Sequence, residues 1–265
     1  MRVLLTNDDG YQALGLRILA SVLKELFDEV VIVAPEDQRS STGGSFPGNG
    51  KWGLAEIDGL EATWVSGTPA DAAELAGELY GDFDLVFSGI NMGSNVGSVP
   101  ASGTIGAANH ALEKSIAKRG LALSWRVPEE LWDKEAADVS LKDYEDYPRK
   151  TVKRILELTL ENDLWGGELL NFNIPQKQPD KLLICEPAPR AYKKYYAYTL
   201  EVDHDNNTYQ KIGADPRPLT GDLHYDANAL SQGFATVVPW LSNRFVNQDL
   251  LSLIGIEIDL WEEKS

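Results

Sequence analysis

Apolar and polar positions alternate in blocks along the first part of the chain, and the blocks predict strands and helices in turn. Residues 3–5 and 30–34 are short, uninterrupted apolar runs, which are typical of strands covered on both faces. The apolar positions at helical spacing between them are Ile18, Leu19, Val22, Leu23 and Leu26. This order predicts a β-α-β unit with a right-handed crossover, and therefore a parallel sheet.

The same alternation continues through the middle of the chain. Further strands are predicted at residues 62–66, 85–88, 121–124, 169–174 and 182–185, and helices at about 70–80, 104–118 and 150–162. Thr68-Pro69 suits the start of the helix at 70–80, because threonine caps helices and proline is accepted in the first turn. Residues 127–149 are acidic and weakly patterned, which predicts an excursion between elements.

From about Pro187 the pattern becomes β-like. The aromatic and apolar positions of partial two-residue alternation are Tyr192, Tyr195, Tyr196, Tyr198 and Leu200. They predict a hairpin or extended arm with its turn at 203–207, and apolar runs at 235–239 and 251–260 predict more strands. We therefore predict an α/β fold: a Rossmann-like, doubly wound, mainly parallel sheet at 1–190 with a β-rich C-terminal extension at 191–265.

Composition limits the classes of protein that the chain can represent. A length of 265 residues suits one large α/β domain with an extension, and a net charge of −17 disfavours binding to nucleic acid polymers. Cys185 is the only cysteine, which leaves no intrachain disulfide and no cysteine-based zinc site. The early acidic residues disfavour a signal peptide, and no apolar run approaches the ~18 residues of a membrane span. We expect a cytoplasmic protein with no membrane partner.

Oxygen-bearing side chains follow several predicted strands, at the sheet edge where ligands bind in open α/β folds. Asp8 and Asp9 follow the first strand, Ser40 lies in the loop after the second, and Asn91 follows the strand at 85–88. Two adjacent carboxylates repel each other unless a cation compensates, and Mg²⁺ or Mn²⁺ would accept these oxygen ligands. An Asp-Asp-Gly sequence by itself is more typical of a solvated turn, and it is the oxygen ligands of the other two loops that favour a metal site.

Ser102-Gly103-Thr104 precedes a predicted helix and forms a second candidate feature. Hydroxyl groups, a small residue and free N–H groups at a helix start can bind an anion. An ordinary helix cap has the same sequence features. Beside a divalent metal, however, this segment would complete a phosphate site for metal-assisted hydrolysis.

These segments, in this order, resemble the SurE family of survival-protein nucleotidases. The matching segments are residues 6–10 (TNDDG), 33–35 with Arg39-Ser40, 66–71 (SGTPAD), 88–91 with Gly93 and Asn95, 102–104 with 106–108, and 171–175 (NFNIP). The resemblance is strong over residues 1–125 and thin beyond. Each motif is weak by itself, but so many in register are specific.

The resemblance implies a Rossmann-like, metal-dependent phosphatase, a 5′-nucleotidase that acts on nucleoside 5′- and 3′-monophosphates. It implies catalytic roles for Asp8 and Asp9, with one divalent ion, Mg²⁺ or Mn²⁺, held by Asp8, Asp9, Ser40 and Asn91. It implies phosphate binding by Asn95, Ser102, Gly103 and Thr104. It further implies a homodimer or homotetramer joined through C-terminal arms, for which the tyrosine-rich stretch at 192–200 is a candidate; an intramolecular hairpin is the alternative.

The chain departs from the family pattern at positions that bear on substrate preference. Ala101 replaces a tyrosine, His110 stands where an acidic residue is usual, and Tyr225-Asp226 replaces a Thr-Asp motif. We expect these positions to affect the nucleoside side of the pocket rather than the metal. None of the histidines, His110, His204 and His224, has the spacing of a metal site.

Other classes of protein share some of these features. A signalling receiver domain also has an acidic pair after its first strand, but it needs an Asp where this chain has Asn91 and a Lys where it has Trp125-Arg126. A haloacid-dehalogenase-type phosphatase needs Asp-x-Asp after its first strand, which the adjacent Asp8 and Asp9 followed by Gly10 do not match. A SurE-like protein that binds metal or nucleotide without catalysis remains open from the sequence.

Overall fold

A computed structural model of the chain describes residues 1–97, 100–128, 131, 139–162, 167–189, 199–203, 205–212, 221–240, 255 and 257–259. Its first half contains β1 (Arg2–Thr6), α1 (Leu14–Leu26), β2 (Glu29–Pro35), β3 (Trp52–Ile57), β4 (Leu60–Val65), α2 (Pro69–Tyr80), β5 (Phe83–Met92), α3 (Gly103–Glu113) and β6 (Ala117–Trp125). Its second half contains a 3₁₀ turn (Leu141–Tyr144), a π-helical turn (Glu145–Arg149), α4 (Lys150–Glu161), β7 (Leu169–Ile174), β8 (Lys181–Ile184), β9 (Thr199–Asp203), β10 (Thr208–Ile212), α5 (Asp226–Ser231), β11 (Ala235–Trp240) and β12 (Glu257–Asp259).

Within the described residues, ten strands form one sheet in the order β12-β8-β11-β7-β6-β5-β1-β2-β4-β3. Neighbours from β4 to β7 run parallel, whereas β3 with β4, β11 with β7 and β12 with β8 are antiparallel pairs. The run β4-β2-β1-β5-β6-β7 has the order of a doubly wound sheet, with its topological switch point between β1 and β5. The predicted Rossmann-like fold is confirmed.

Helices cover both faces of this sheet. On one face α1 and α4 pack in an apolar cluster that contains Leu19 and Ile155. On the other face α2 and α3 contribute mainly alanines, such as Ala73 and Ala108, to a second cluster. Because both faces are covered, most residues of the central strands are buried, and ligands approach at the loops beyond the strand ends.

The ends of α2 and α3 show how local sequence sets helix boundaries. The Thr68 side chain accepts the N–H of Asp71, and the Asp71 carboxylate accepts the N–H of Thr68, so that α2 begins in a capping box as its predicted cap requires. The prediction that the next helix reaches Lys118 was wrong. Ser115 takes a left-handed φ of 58°, which ends α3 at Glu113 and turns the chain into β6. Apolar spacing alone did not reveal this turn.

The sequence interpretation missed β3 and α5. β3 pairs with β4 through Asp58 and Gly59, whose φ values of 50° and 77° give the tight turn that favours an Asp-Gly pair in hairpins. The Asp-Gly signal was therefore present, but the weak alternation in β3 concealed the strand. α5 is only six residues long and carries no extended helical period.

The predicted turn at 203–207 joins β9 to β10, which form a separate antiparallel hairpin. β11 lies between β7 and β8, so that the main sheet takes strands from both sides of residue 190; the division at 190/191 stays a prediction. The predicted arm tyrosines at 192, 195, 196 and 198, and His204, lie outside the described residues. Within the described ranges, no helix has the length and apolar character needed to cross a membrane.

Candidate active site

Asp8 and Asp9 lie immediately beyond β1, at the topological switch point. The side chain of Asn7 donates a hydrogen bond to the carbonyl of Gly10 over 2.8 Å, and Gly10 takes a φ of 102° that other residues rarely adopt. The carbonyl of Gly10 then accepts the N–H of Ala13, the residue before α1. This turn fixes the two aspartates between the strand and the helix.

The start of α3 contacts Asp8 directly. The Thr104 hydroxyl donates to Oδ1 of Asp8 over 2.6 Å, and both residues are buried, with 0% and 3% of their surfaces exposed. A Cβ added to Gly103 would lie 2.7 Å from the Cβ of Asp8 and 2.8 Å from its Oδ2. Only glycine therefore allows the first turn of α3 to approach this carboxylate so closely.

Asp9 contacts the end of β5 and the loop after β2. Its Oδ2 accepts the backbone N–H of Met92, the last residue of β5, over 2.9 Å, and its Oδ1 accepts a longer hydrogen bond of 3.4 Å from the Gln38 side chain. Asn91 is therefore next to the residue that binds Asp9. The half-buried Asn91 side chain donates to the carbonyl of Gly93 over 3.1 Å.

The loop after β2 brings Ser40 to the same edge. The N–H of Arg39 donates to the carbonyl of Asp8 over 2.7 Å, and its guanidinium donates to the carbonyl of Ser66 over 2.8 Å. Ser40 follows Arg39 and is exposed. The Arg39 contacts thus hold the predicted Ser40 loop against β1 and the end of β4.

The surroundings of Asp8 and Asp9 raise the pKa of both carboxyl groups. Burial and then the Asp9 carboxylate raise the pKa of Asp8 to about 7, although the hydrogen bond from Thr104 opposes the shift. Burial likewise raises the pKa of Asp9 against the hydrogen bonds from Met92 and Gln38. A proton on one carboxylate, or a cation beside the pair, would lower the free-energy cost of holding two negative charges there.

The side chains predicted to bind a metal ion at this pair all offer oxygen atoms as ligands. In the described part of the chain, no three His, Cys, Asp or Glu side chains are grouped so that they could hold a metal ion. A cation at Asp8 and Asp9 would therefore need neutral hydroxyl and amide oxygens to complete its coordination, which is a ligand set that hard divalent ions accept.

The predicted phosphate residues lie together beside Asp8. Ser102 caps α3 by accepting the N–H of Ile105 over 3.1 Å. The Asn95 side-chain amide donates to the hydroxyls of Thr104 over 3.3 Å and of Ser124 over 2.9 Å. The structure therefore joins Asn95, Thr104 and Asp8 in one hydrogen-bonded group.

Several residues that support this group were not singled out from the sequence. Ser124, the residue before the end of β6, accepts a hydrogen bond from Asn95, and Asn171 and Asn173 of β7 donate to the Asn95 carbonyl over 2.7 and 2.9 Å. The Asn-x-Asn-x-Pro motif was recognised in the sequence, but its hydrogen bonds to Asn95 could not be predicted from it. Arg39 was seen only as part of a motif.

The departures from the family pattern occupy different surroundings. His110 is 8% exposed; its Nε2 lies 2.6 Å from Oε2 of Glu74, and its ring packs on Phe46 with centroids 5.0 Å apart. These contacts place the His110 ring between α2, α3 and the loop before β3. Ala101 is exposed at the turn before α3, and the effect of these positions on substrate preference stays a prediction.

Comparison with known proteins agrees with this architecture. The family model described as Survival protein SurE matches residues 3–194. The chain belongs to the SurE family. The matched range contains each of the predicted metal and phosphate residues.

Two curated relatives have the same name, 5′-nucleotidase SurE. The relative from Chloroflexus aggregans is 36% identical over 273 residues, with 99% of each chain covered. The relative from Archaeoglobus fulgidus is 32% identical over 249 residues, with 90% of each chain covered. The crystal structure of the SurE protein from Aquifex aeolicus is 24% identical, with a TM-score of 0.69 over 95% of this chain and 97% of that one, and it confirms the SurE fold.

Proposed function

We propose that this SurE-family chain is a metal-dependent phosphomonoesterase that hydrolyses nucleoside 5′- and 3′-monophosphates to nucleoside and phosphate. The observation that carries the proposal is the Asp8–Asp9 pair beyond β1, whose buried member, Asp8, lies against Gly103 and Thr104 at the first turn of α3. The curated relatives named 5′-nucleotidase SurE support the nucleotide substrate.

In this proposal, Asp8, Asp9, Ser40 and Asn91 hold one divalent cation, Mg²⁺ or Mn²⁺. The raised pKa values of the two aspartates support cation binding, because a nearby positive charge would offset the cost of burying two carboxylates together. When bound, such an ion polarises a phosphoryl oxygen and makes water more acidic. The same two carboxylates are the proposed catalytic residues.

The phosphate would lie against Asn95 and the start of α3. The first N–H groups of a helix and the positive end of its dipole attract an anion, and Ser102, Gly103 and Thr104 provide this start. In a chain of net charge −17, such local positive potential is needed, because the overall charge repels a phosphate ester. Thr104 also orients the Asp8 carboxylate, since its hydroxyl donates to Oδ1.

We further propose a cytoplasmic homodimer or homotetramer joined through its C-terminal arm. The β9–β10 hairpin supports this assembly, because Val202 and Tyr209 face each other across the hairpin and are 52% and 75% exposed. Together these two side chains leave apolar surface on a hairpin outside the main sheet, which a second copy of the chain could cover.

Phosphate release from AMP tests the proposed activity. We expect release with Mg²⁺ or Mn²⁺, loss with chelator, and a fall of about 10²-fold or more in Asp8→Asn, because the variant removes a charged ligand and catalytic group. Asp82→Asn, at an exposed aspartate before β5, is the matched control and should keep full activity.

Full activity in Asp8→Asn would contradict the assignment of Asp8 to the active site. Wild-type protein that binds AMP and metal without releasing phosphate would indicate a non-catalytic binding protein instead. Labelling of the chain by acetyl phosphate would favour a receiver-like phosphoacceptor.

A further inference from the structure

Asp226, the first residue of α5, is a fully buried carboxylate for which the proposed reaction has no use. Its Oδ2 accepts the N–H of Gly97 over 2.7 Å, and its Oδ1 accepts the N–H groups of Ala188 over 2.8 Å and Ala227 over 2.7 Å. Both oxygens are thus bound to backbone donors from three segments: the loop after β5, the residues after β8 and the start of α5. The carboxylate joins these segments at one point.

The loop after β5 is clamped closely at this junction. Val96 packs in a small apolar cluster with Ala188, Ala227 and Leu230. Gly97 takes a φ of 71°, and a Cβ added there would lie 3.0 Å from the Ala188 carbonyl. Residues 96–97 therefore have little freedom to shift while Asp226 holds them.

Asn95, one residue earlier, is fixed from the opposite side by β7. Its N–H donates to Oδ1 of Asn173 over 2.8 Å, and its carbonyl accepts the side-chain amides of Asn171 and Asn173. With its backbone held on both sides, the Asn95 side chain reaches the Thr104 hydroxyl, which in turn donates to Asp8. An unbroken series of contacts leads from Asp226 to the proposed phosphate site.

We propose that Asp226 is a positioning residue for phosphate binding: it holds Gly97 so that the Asn95 side chain stays in contact with Thr104. The inference rests on the proposed function of the site. It gives the C-terminal segment, beyond the range that the family model matches, a role in the reaction of the first half of the chain.

Asp226→Asn is the sharpest change, because it preserves shape and replaces one acceptor oxygen with an NH₂ group that must face a backbone N–H. We expect KM for AMP and the inhibition constant of inorganic phosphate to rise together by about tenfold, since a displaced Asn95 weakens phosphate contacts. The Mn²⁺ concentration for half-maximal activity should change less than about twofold, because Asp226 does not contact Asp8 or Asp9. Asp222→Asn, an exposed aspartate in the same segment, is the matched control.

A double-mutant cycle with Asn95→Ala separates positioning from general destabilisation. If Asp226 acts through Asn95, Asp226→Asn should add less than about twofold to KM once Asn95 is already alanine. Circular dichroism at the assay temperature verifies that each variant is folded. Should Asp226→Asn not fold, Gly97→Ala takes its place, because the added Cβ moves the same loop while Asp226 stays intact.

The outcomes distinguish the two proposals. If the wild type is active but KM is unchanged in the folded Asp226→Asn variant, the positioning role is overturned. The same holds if the effects of Asp226→Asn and Asn95→Ala on KM multiply fully in the cycle. In both cases the proposed phosphatase function is unaffected. A loss confined to kcat, or an equal loss of metal affinity, also overturns the positioning role. A wild type that releases no phosphate from AMP overturns the proposed function together with this inference.

Discussion

Asp8 and Asp226 are both buried aspartates beside loops of the same sheet, with 3% and 0% of their surfaces exposed. Burial raises the pKa of Asp8 to about 7 and that of Asp226 to about 6. Their partners differ. Asp226 binds three backbone N–H groups, which lower its pKa against the larger effect of burial, whereas Asp8 stands beside Asp9 and binds the Thr104 hydroxyl.

The difference shows that burial alone does not identify a reactive carboxylate. At Asp226 the protein supplies the hydrogen bonds that the carboxylate needs, which suits a fixed junction between segments. At Asp8 and Asp9 two adjacent charges are left in mutual repulsion, which suits a site completed by a cation.

Gly103→Ala should nearly abolish phosphatase activity. The new Cβ would overlap the Asp8 side chain, whose neighbours leave it little room, and would separate α3 from the carboxylate. We expect kcat/KM for AMP to fall by about 10²–10³-fold, as when a preorganised group is displaced. Gly44→Ala is the control, because nothing lies within 4 Å of its added Cβ. Equal activity of the two variants would mean that the close approach of α3 to Asp8 is not needed for catalysis.

The Asp226 carboxylate should make stability depend on pH in a defined direction. Its folded pKa of about 6 exceeds the ordinary value, so that the folded state binds the proton more tightly. Its contribution is complete below about pH 4 and is lost as the pH rises to about 6, by about 3 kcal/mol in all. Urea unfolding at several pH values should show this fall in wild type and in Asp222→Asn. A slope in Asp226→Asn equal to that of wild type would contradict the assignment.

Replacement by asparagine should lower the free energy of unfolding at Asp226 but not at Asp8 when metal is chelated. Asp226→Asn should lower the free energy of unfolding by about 1–3 kcal/mol, because it leaves a buried N–H facing another donor. Asp8→Asn should leave the free energy unchanged or raise it, because it removes the repulsion with Asp9. Denaturant unfolding at pH 7 compares them. Equal destabilisation by both changes would mean that the two sites are alike.

The local parts of this fold could be predicted from the sequence, because their causes are local. β1, α1 and β2 follow apolar runs and spacing, and Thr68-Pro69 marks the start of α2. The end of α3 at Ser115 depends on one left-handed residue, for which apolar spacing gives no signal. The strand order of the central sheet follows from general rules of doubly wound folds.

The candidate site was predictable as a set of loops but not as a set of contacts. Asp8, Asp9 and Asn91 could be placed at one edge because parallel strands end there together. The contact of Thr104 with Asp8 spans 96 residues and that of Gly97 with Asp226 spans 129, and neither distance leaves a periodic trace in the sequence. Such contacts depend on packing, which requires the folded chain.

Calorimetric titration of chelator-treated protein with Mn²⁺ tests the central claim most directly. We expect one ion bound per wild-type chain and per Asp226→Asn chain, and no binding to Asp8→Asn, because Asp8 and Asp9 place two carboxylates with raised pKa values side by side. Wild-type protein that binds no Mn²⁺, or Asp8→Asn that binds it as tightly as wild type, would contradict the account.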